Sequence, residues 1–165
     1  MKIRGPFTVS QSLILNCTGG PPMQVSSGQE VTNLNAERLQ GQTSDYYKTV
    51  EIGVAVSDET TALTTGEGKV VFRSPEAFTL KSVRANVNTA PSGSAITVDL
   101  KKGGISILSP RLIINDGQKT SLTATQPGGL PIAVSDDEEF SVGLDTVGSS
   151  VAGAGLKIWL KGTKA

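Results

Sequence analysis

The chain has no histidine and a single cysteine, Cys17, among its 165 residues. Without an imidazole, Ser-His-Asp and Cys-His nucleophilic catalysis and histidine-ligated metal centres are excluded, and no catalytic residue, metal or cofactor is expected. One cysteine forms no intramolecular disulfide, so Cys17 reads as a small apolar group suited to burial. Aromatic residues are scarce, at 4% with one Trp. Excess charge is also missing, because 15 Lys and Arg balance 15 Asp and Glu. Electrostatic capture of nucleic acid or of an anionic membrane is therefore not expected. The longest early apolar run, Leu13 to Leu15, falls far short of a signal-peptide core of about 7 residues or a membrane span of about 20. The chain is expected to be soluble and made in a cytoplasm.

What is present is β-rich. Nineteen Gly and a charged fraction of only 18% fit a chain of short strands joined by tight turns. From position 50 onward apolar residues repeat with period two, which places them on one face of a pleated strand. The runs are Val83, Ala85 and Val87; Ile96, Val98 and Leu100; Ile105 and Ile107; Leu112 and Ile114; Phe140, Val142 and Leu144; and Leu156, Ile158 and Leu160. Breakers separate them at Pro91-Ser92-Gly93, Gly103-Gly104, Asn115-Asp116-Gly117, Pro127-Gly128-Gly129 and Gly148 to Ser150, at the intervals expected of an antiparallel sandwich. Two sheets face to face would bury all of these residues, so the pattern predicts an all-β fold, a β-sandwich of jelly-roll type over residues 51–165. A small barrel is the alternative, since pattern does not fix topology.

The first 50 residues differ. Their apolar residues are sparse, and Gly19-Gly20-Pro21-Pro22 suits neither a helix nor a central strand. Residues 1–30 read as an extended N-terminal arm that needs a partner surface to order, with Ile3, Phe7, Val9, Leu13 and Leu15 as the side chains available to fill pockets on it. Residues 31–50 form a linker, in which Asn35 is a good N-cap for a short helical run from Ala36 to Gln40 and Gly41 a good C′ residue, while Ser44 could open a second turn. Single helical turns do not persist alone, so Leu34, Leu39, Tyr46 and Tyr47 must find apolar contacts elsewhere, as repetition about a symmetry axis would supply.

The stretch N-L-N-A-E-R-L-Q-G-Q-T-S-D-Y-Y at 33–47 resembles a motif of trimeric phage tail fibres, N-L-N-A-x-x-L-x-G-x-x-x-x-Y-Y, in which three chains wrap one axis. The family form has Asp before the Gly, where this chain has Gln40. Farther on, S-D-E-T-T-A-L-T-T-G at 57–66, K-V-V-F-R-S-P-E-A-F-T-L at 69–80 and V-G-S-S-V-A-G-A-G-L-K-I-W-L-K-G at 147–162 resemble a β-domain at the ends of phage virion structural proteins. The resemblance implies a homotrimer with Leu34, Asn35, Leu39, Gly41, Tyr46 and Tyr47 at the trimer contact, a place in the virion, and no catalytic residues. Two functions follow from it. In the first, the chain is a capsid decoration (cement) protein on the outer head surface, its arm bound to the major capsid protein. In the second, it is a fibre or receptor-binding module whose sandwich recognises a host surface glycan.

Other features carry less. Asp136 to Glu139 reads as a solvated acidic turn rather than a metal cluster, because consecutive strand residues alternate faces. Asp58-Glu59, or Asp99 with Asp145, would act as a glycosidase pair only at about 5–9.5 Å within a cleft. Gly153-Ala154-Gly155 lacks the spacing of a phosphate loop and reads as a bend before the last strand. Trp159 alternates with core residues, so it is expected on the outer face, exposed to a neighbouring subunit or a ligand.

Overall fold

The computed structural model describes residues 38–39 and 42–164, with side chains from Tyr46 onward. The arm residues Ile3, Phe7, Val9, Leu13, Leu15 and Cys17, and the motif residues Leu34, Asn35 and Gly41, lie outside the described residues. Arg38–Leu39 (β1) pairs antiparallel with Gln42–Thr43 (β2), and Ser44–Tyr47 (α1) is one helical turn. The second expected turn is thus present. The helical run expected from Ala36 to Gln40 is not what Arg38 and Leu39 adopt: their backbone joins a two-rung ladder, which spares the cost of nucleating a lone helical turn.

The strands that follow are β3 (Thr49–Ala55), β4 (Gly66–Arg73), β5 (Phe78–Asn86), β6 (Ile96–Lys102), β7 (Ile105–Ser106), β8 (Leu112–Ile114), β9 (Ile132–Val134), β10 (Glu139–Thr146) and β11 (Lys157–Lys164). One sheet runs β3-β11-β5-β9; the other runs β4-β10-β6, with β7 and β8 sharing the free edge of β6. All the pairings are antiparallel. With β3 counted as the first strand and β7 plus β8 as one broken fifth strand, the sheets read 1-8-3-6 and 2-7-4-5. That is the order of a long hairpin rolled into two sheets, so the sandwich is a jelly roll.

The expected alternation forms the core. Phe78, Leu80, Val83, Ala85, Ile158 and Leu160 point inward from one sheet, and Ile96, Val98, Leu100, Phe140, Val142 and Leu144 from the other. Phe140 stacks on Phe72 with ring centroids 5.4 Å apart and planes at 17°. Burying a side chain of this size contributes about 1.5–3 kcal/mol. Val50, at the start of β3, is also buried, so the sandwich begins at Thr49.

Three departures from strict period two matter. Leu80 and Val83 face the core although three apart, because Lys81 is an extra residue in a bulge opposite Lys161 and Gly162; Lys81 and Ser82 then both turn outward. A second bulge, at Asp145, leaves Thr146 exposed beside Asp145 where strict alternation would have turned it inward. Ile105, expected on a half-buried strand with Ile107, is instead 72% exposed. It pairs with Lys102 just after the Gly103-Gly104 hairpin, beyond the last core layer. β7 ends at Ser106, and the chain buries Leu108 before it rejoins the sheet as β8.

Candidate functional site

The outer face of the β3-β11-β5-β9 sheet carries an open groove of about 380 Å³ lined by Glu51, Ser82, Arg84, Trp159, Leu160 and Lys161. Its position follows from strand register: Trp159 on β11 lies between Gly53 on β3 and Arg84 on β5. Gly53 is what lets the indole lie down. A Cβ at that position would stand 2.6 Å from Trp159 Cζ3 and 2.9 Å from Cε3, so any side chain there would lift the ring. On the opposite edge the indole Nε1–H donates to Asn86 Oδ1 at 3.0 Å. Pinned at both edges across three strands, the ring keeps one face toward the sheet and presents the other to solvent, and Trp159 is 51% exposed. Such a platform costs little conformational entropy when something stacks on it.

The polar groups around the ring are unevenly neutralised. Lys161 pairs with Glu51 at 2.6 Å and Lys157 with Glu59 at 2.6 Å. The Arg84 guanidinium, beside Trp159 in register, has no ion-pair or hydrogen-bond partner among the described residues. Among the described residues the groove therefore holds one uncompensated positive charge. Next to it, a shallower depression is lined by Tyr46, Thr49, Glu51 and Lys161, so Tyr46 and Trp159 lie along one strip. The Tyr46 and Tyr47 rings meet edge to face at 5.3 Å, and both are exposed, Tyr46 by 63%.

The opposite sheet's outer face holds an ionic network. Asp99 is 1% exposed although it points away from the core. Its Oδ1 accepts from Arg111 and from the Ser106 hydroxyl, while Arg111 Nε donates to Asp145 at 3.1 Å. Among the described residues Asp99 Oδ2 has no hydrogen-bond partner, and Lys101 Nζ stands 4.0 Å from it. Lys101 also meets Glu67 at 2.6 Å, a contact that holds its ammonium above the ordinary lysine range. Glu67 reaches over from β4 because Gly143 leaves room: a Cβ on Gly143 would be 3.1 Å from Glu67 Oε2. Oxygens of Glu67, Asp99 and Asp145 come within 4.8 Å of one another. Lys101 and Arg111 occupy the space between these acids, which makes the cluster a clamp joining β4, β6, β10 and the β7–β8 break.

The fold thus brings Asp99 and Asp145 together, but Arg111 bridges them and Asp99 is sealed from any substrate. Asp58 and Glu59 are each engaged elsewhere, Glu59 with Lys157 at 2.6 Å. Asp58 Oδ1 accepts from the backbone N–H of Thr61 at 2.6 Å and of Thr60 at 2.9 Å, which lowers its pKa from 3.8 to about 2. Asp136 to Glu139 forms the turn into β10, where Arg73 pairs with Asp137 and Glu139 and Lys102 with Glu138. Gly153 and Gly155, both at positive φ, make the bend before β11. Sequence reasoning missed Gly53, Arg84 and the Arg111 clamp, since none belongs to a local pattern; only the outward parity of Trp159 pointed to this face. No family model matches the chain, and no curated protein matches it.

Proposed function

We propose that the chain is a non-enzymatic structural protein of a phage virion, a homotrimer that decorates the outer head surface and displays its jelly roll outward. The observation that carries this reading is the exposed aromatic pair Tyr46 and Tyr47, at the last two positions of the fibre-like motif and immediately before the first strand of the sandwich. Two adjacent exposed rings are what an element completed by its symmetry mates would leave on a lone protomer. The closed Asp99–Arg111–Asp145 bridge supports a non-catalytic role. Attachment belongs to residues 1–30, which bind the major capsid protein, and three arms on one trimer turn weak single contacts into firm binding by effective concentration. Electron microscopy of particles should place the protein on head threefold positions, and deletion of residues 1–30 should leave a soluble sandwich that no longer decorates heads lacking their own copy. Full occupancy by that truncated protein would move the anchor to the sandwich.

A second reading, recognition of a host surface glycan by a fibre or receptor-binding module, is favoured by the Trp159 platform. A tail-tip location on the particle would select it.

A further inference from the structure

Building on the second reading, we infer that the Trp159 groove binds an acidic pyranose, a uronic- or sialic-acid unit of a surface polysaccharide. A pyranose has an apolar face of axial C–H groups that matches a flat indole, and the ring here is already lying down, seated on Gly53 and tied to Asn86. Beside it, Arg84 has no counter-charge among the described residues. A planar guanidinium with free donors suits a carboxylate, which accepts two parallel N–H bonds from it. On the other side of the groove the Glu51–Lys161 pair offers an acceptor and a donor for ring hydroxyls. Stacking would supply contact area, Arg84 the preference for a carboxylate, and the Glu51–Lys161 pair the orientation. A neutral sugar would leave the guanidinium uncompensated, so charge selects among sugars that stack equally well.

Trp159 is the only tryptophan in the chain, so emission excited at wavelengths that Tyr46 and Tyr47 do not absorb reports this groove alone. The test is fluorescence and calorimetric titration with oligosaccharides containing glucuronate, galacturonate or N-acetylneuraminate, each beside its carboxyl-reduced counterpart. At least one acidic oligosaccharide is expected to shift the Trp159 emission and to bind about tenfold or more tightly than its reduced form. Arg84→Gln should erase that preference while leaving the weaker neutral binding, and Trp159→Ala should abolish both in the calorimeter. Equal binding of acidic and reduced forms would overturn the charge assignment and leave the glycan reading standing. No binding by any of them, with Trp159 shielded from acrylamide in the assembled protein, would overturn both and make the face a subunit contact.

Discussion

Replacing Arg111 with Met keeps the side chain's apolar stem and removes the guanidinium that covers Asp99. The carboxylate then stays 1% exposed with only the Ser106 hydroxyl on Oδ1 and Lys101 Nζ 4.0 Å from Oδ2. Breaking a buried pair from one side costs about 3–5 kcal/mol, because the charge left behind has lost its water without compensation. Lys101 lies close enough to take up part of that charge, which puts the expected loss near the lower bound, about 3 kcal/mol. Neutralising the anion instead, by Asp99→Asn, removes the group that is costly to bury, and Arg111 keeps its 3.1 Å bond to Asp145. That change should cost only about 1–2 kcal/mol. In the double variant the stranded carboxylate is gone, so the two losses should fall short of additivity by about 1–3 kcal/mol. At this chain length Arg111→Met should lower the Tm by roughly 10 °C, while Asp99→Asn lowers it by about a third to two thirds of that. Thermal and urea unfolding of the three variants measure these differences. If Asp99→Asn proves as damaging as Arg111→Met, or if the single losses simply add, the clamp does not work by compensating a buried charge.

The Phe72–Phe140 stack joins the edge strand β4 to β10. Phe140→Ala should destabilise by about 3–5 kcal/mol, and urea unfolding of Phe72→Ala, Phe140→Ala and the double variant should return a coupling of about 0.5–1.5 kcal/mol; strict additivity would mean that the rings contribute burial alone. Asp58 has a folded pKa depressed to about 2 by the Thr60 and Thr61 amides. Its stabilising effect is therefore present above the unfolded value and lost as pH falls through the folded one. The Tm gap between the native protein and Asp58→Ala should be constant near neutrality and shrink as pH drops from about 4 toward about 2, and a gap that persists unchanged at the acid end would refute the turn's role.

The alternation alone determined that the chain is all-β with half-buried strands, because period-two burial is a local property, but it left a sandwich and a small barrel both open. Val98 and Leu100, or Phe140 and Val142, face one way for the same steric reason in any antiparallel sheet. It also announced that Trp159 looks outward, and that the Gly153 to Gly155 stretch bends. Ile105 escaped the rule because burial requires a layer above as well as the right parity, and at the end of the hairpin there is none. The rolled strand order was not legible, since pairing β3 with β11 and β4 with β10 joins residues 66 to 114 positions apart and no local pattern encodes which strands meet. Only the rolled order as a whole put Gly53 under Trp159 by pairing β3 with β11, Arg84 at its side by pairing β5 with β11, and Asp99 near Asp145 and Arg111 by pairing β6 with β10 and β8. These sites exist because register across neighbouring strands, a tertiary quantity, decides which side chains share a patch of surface.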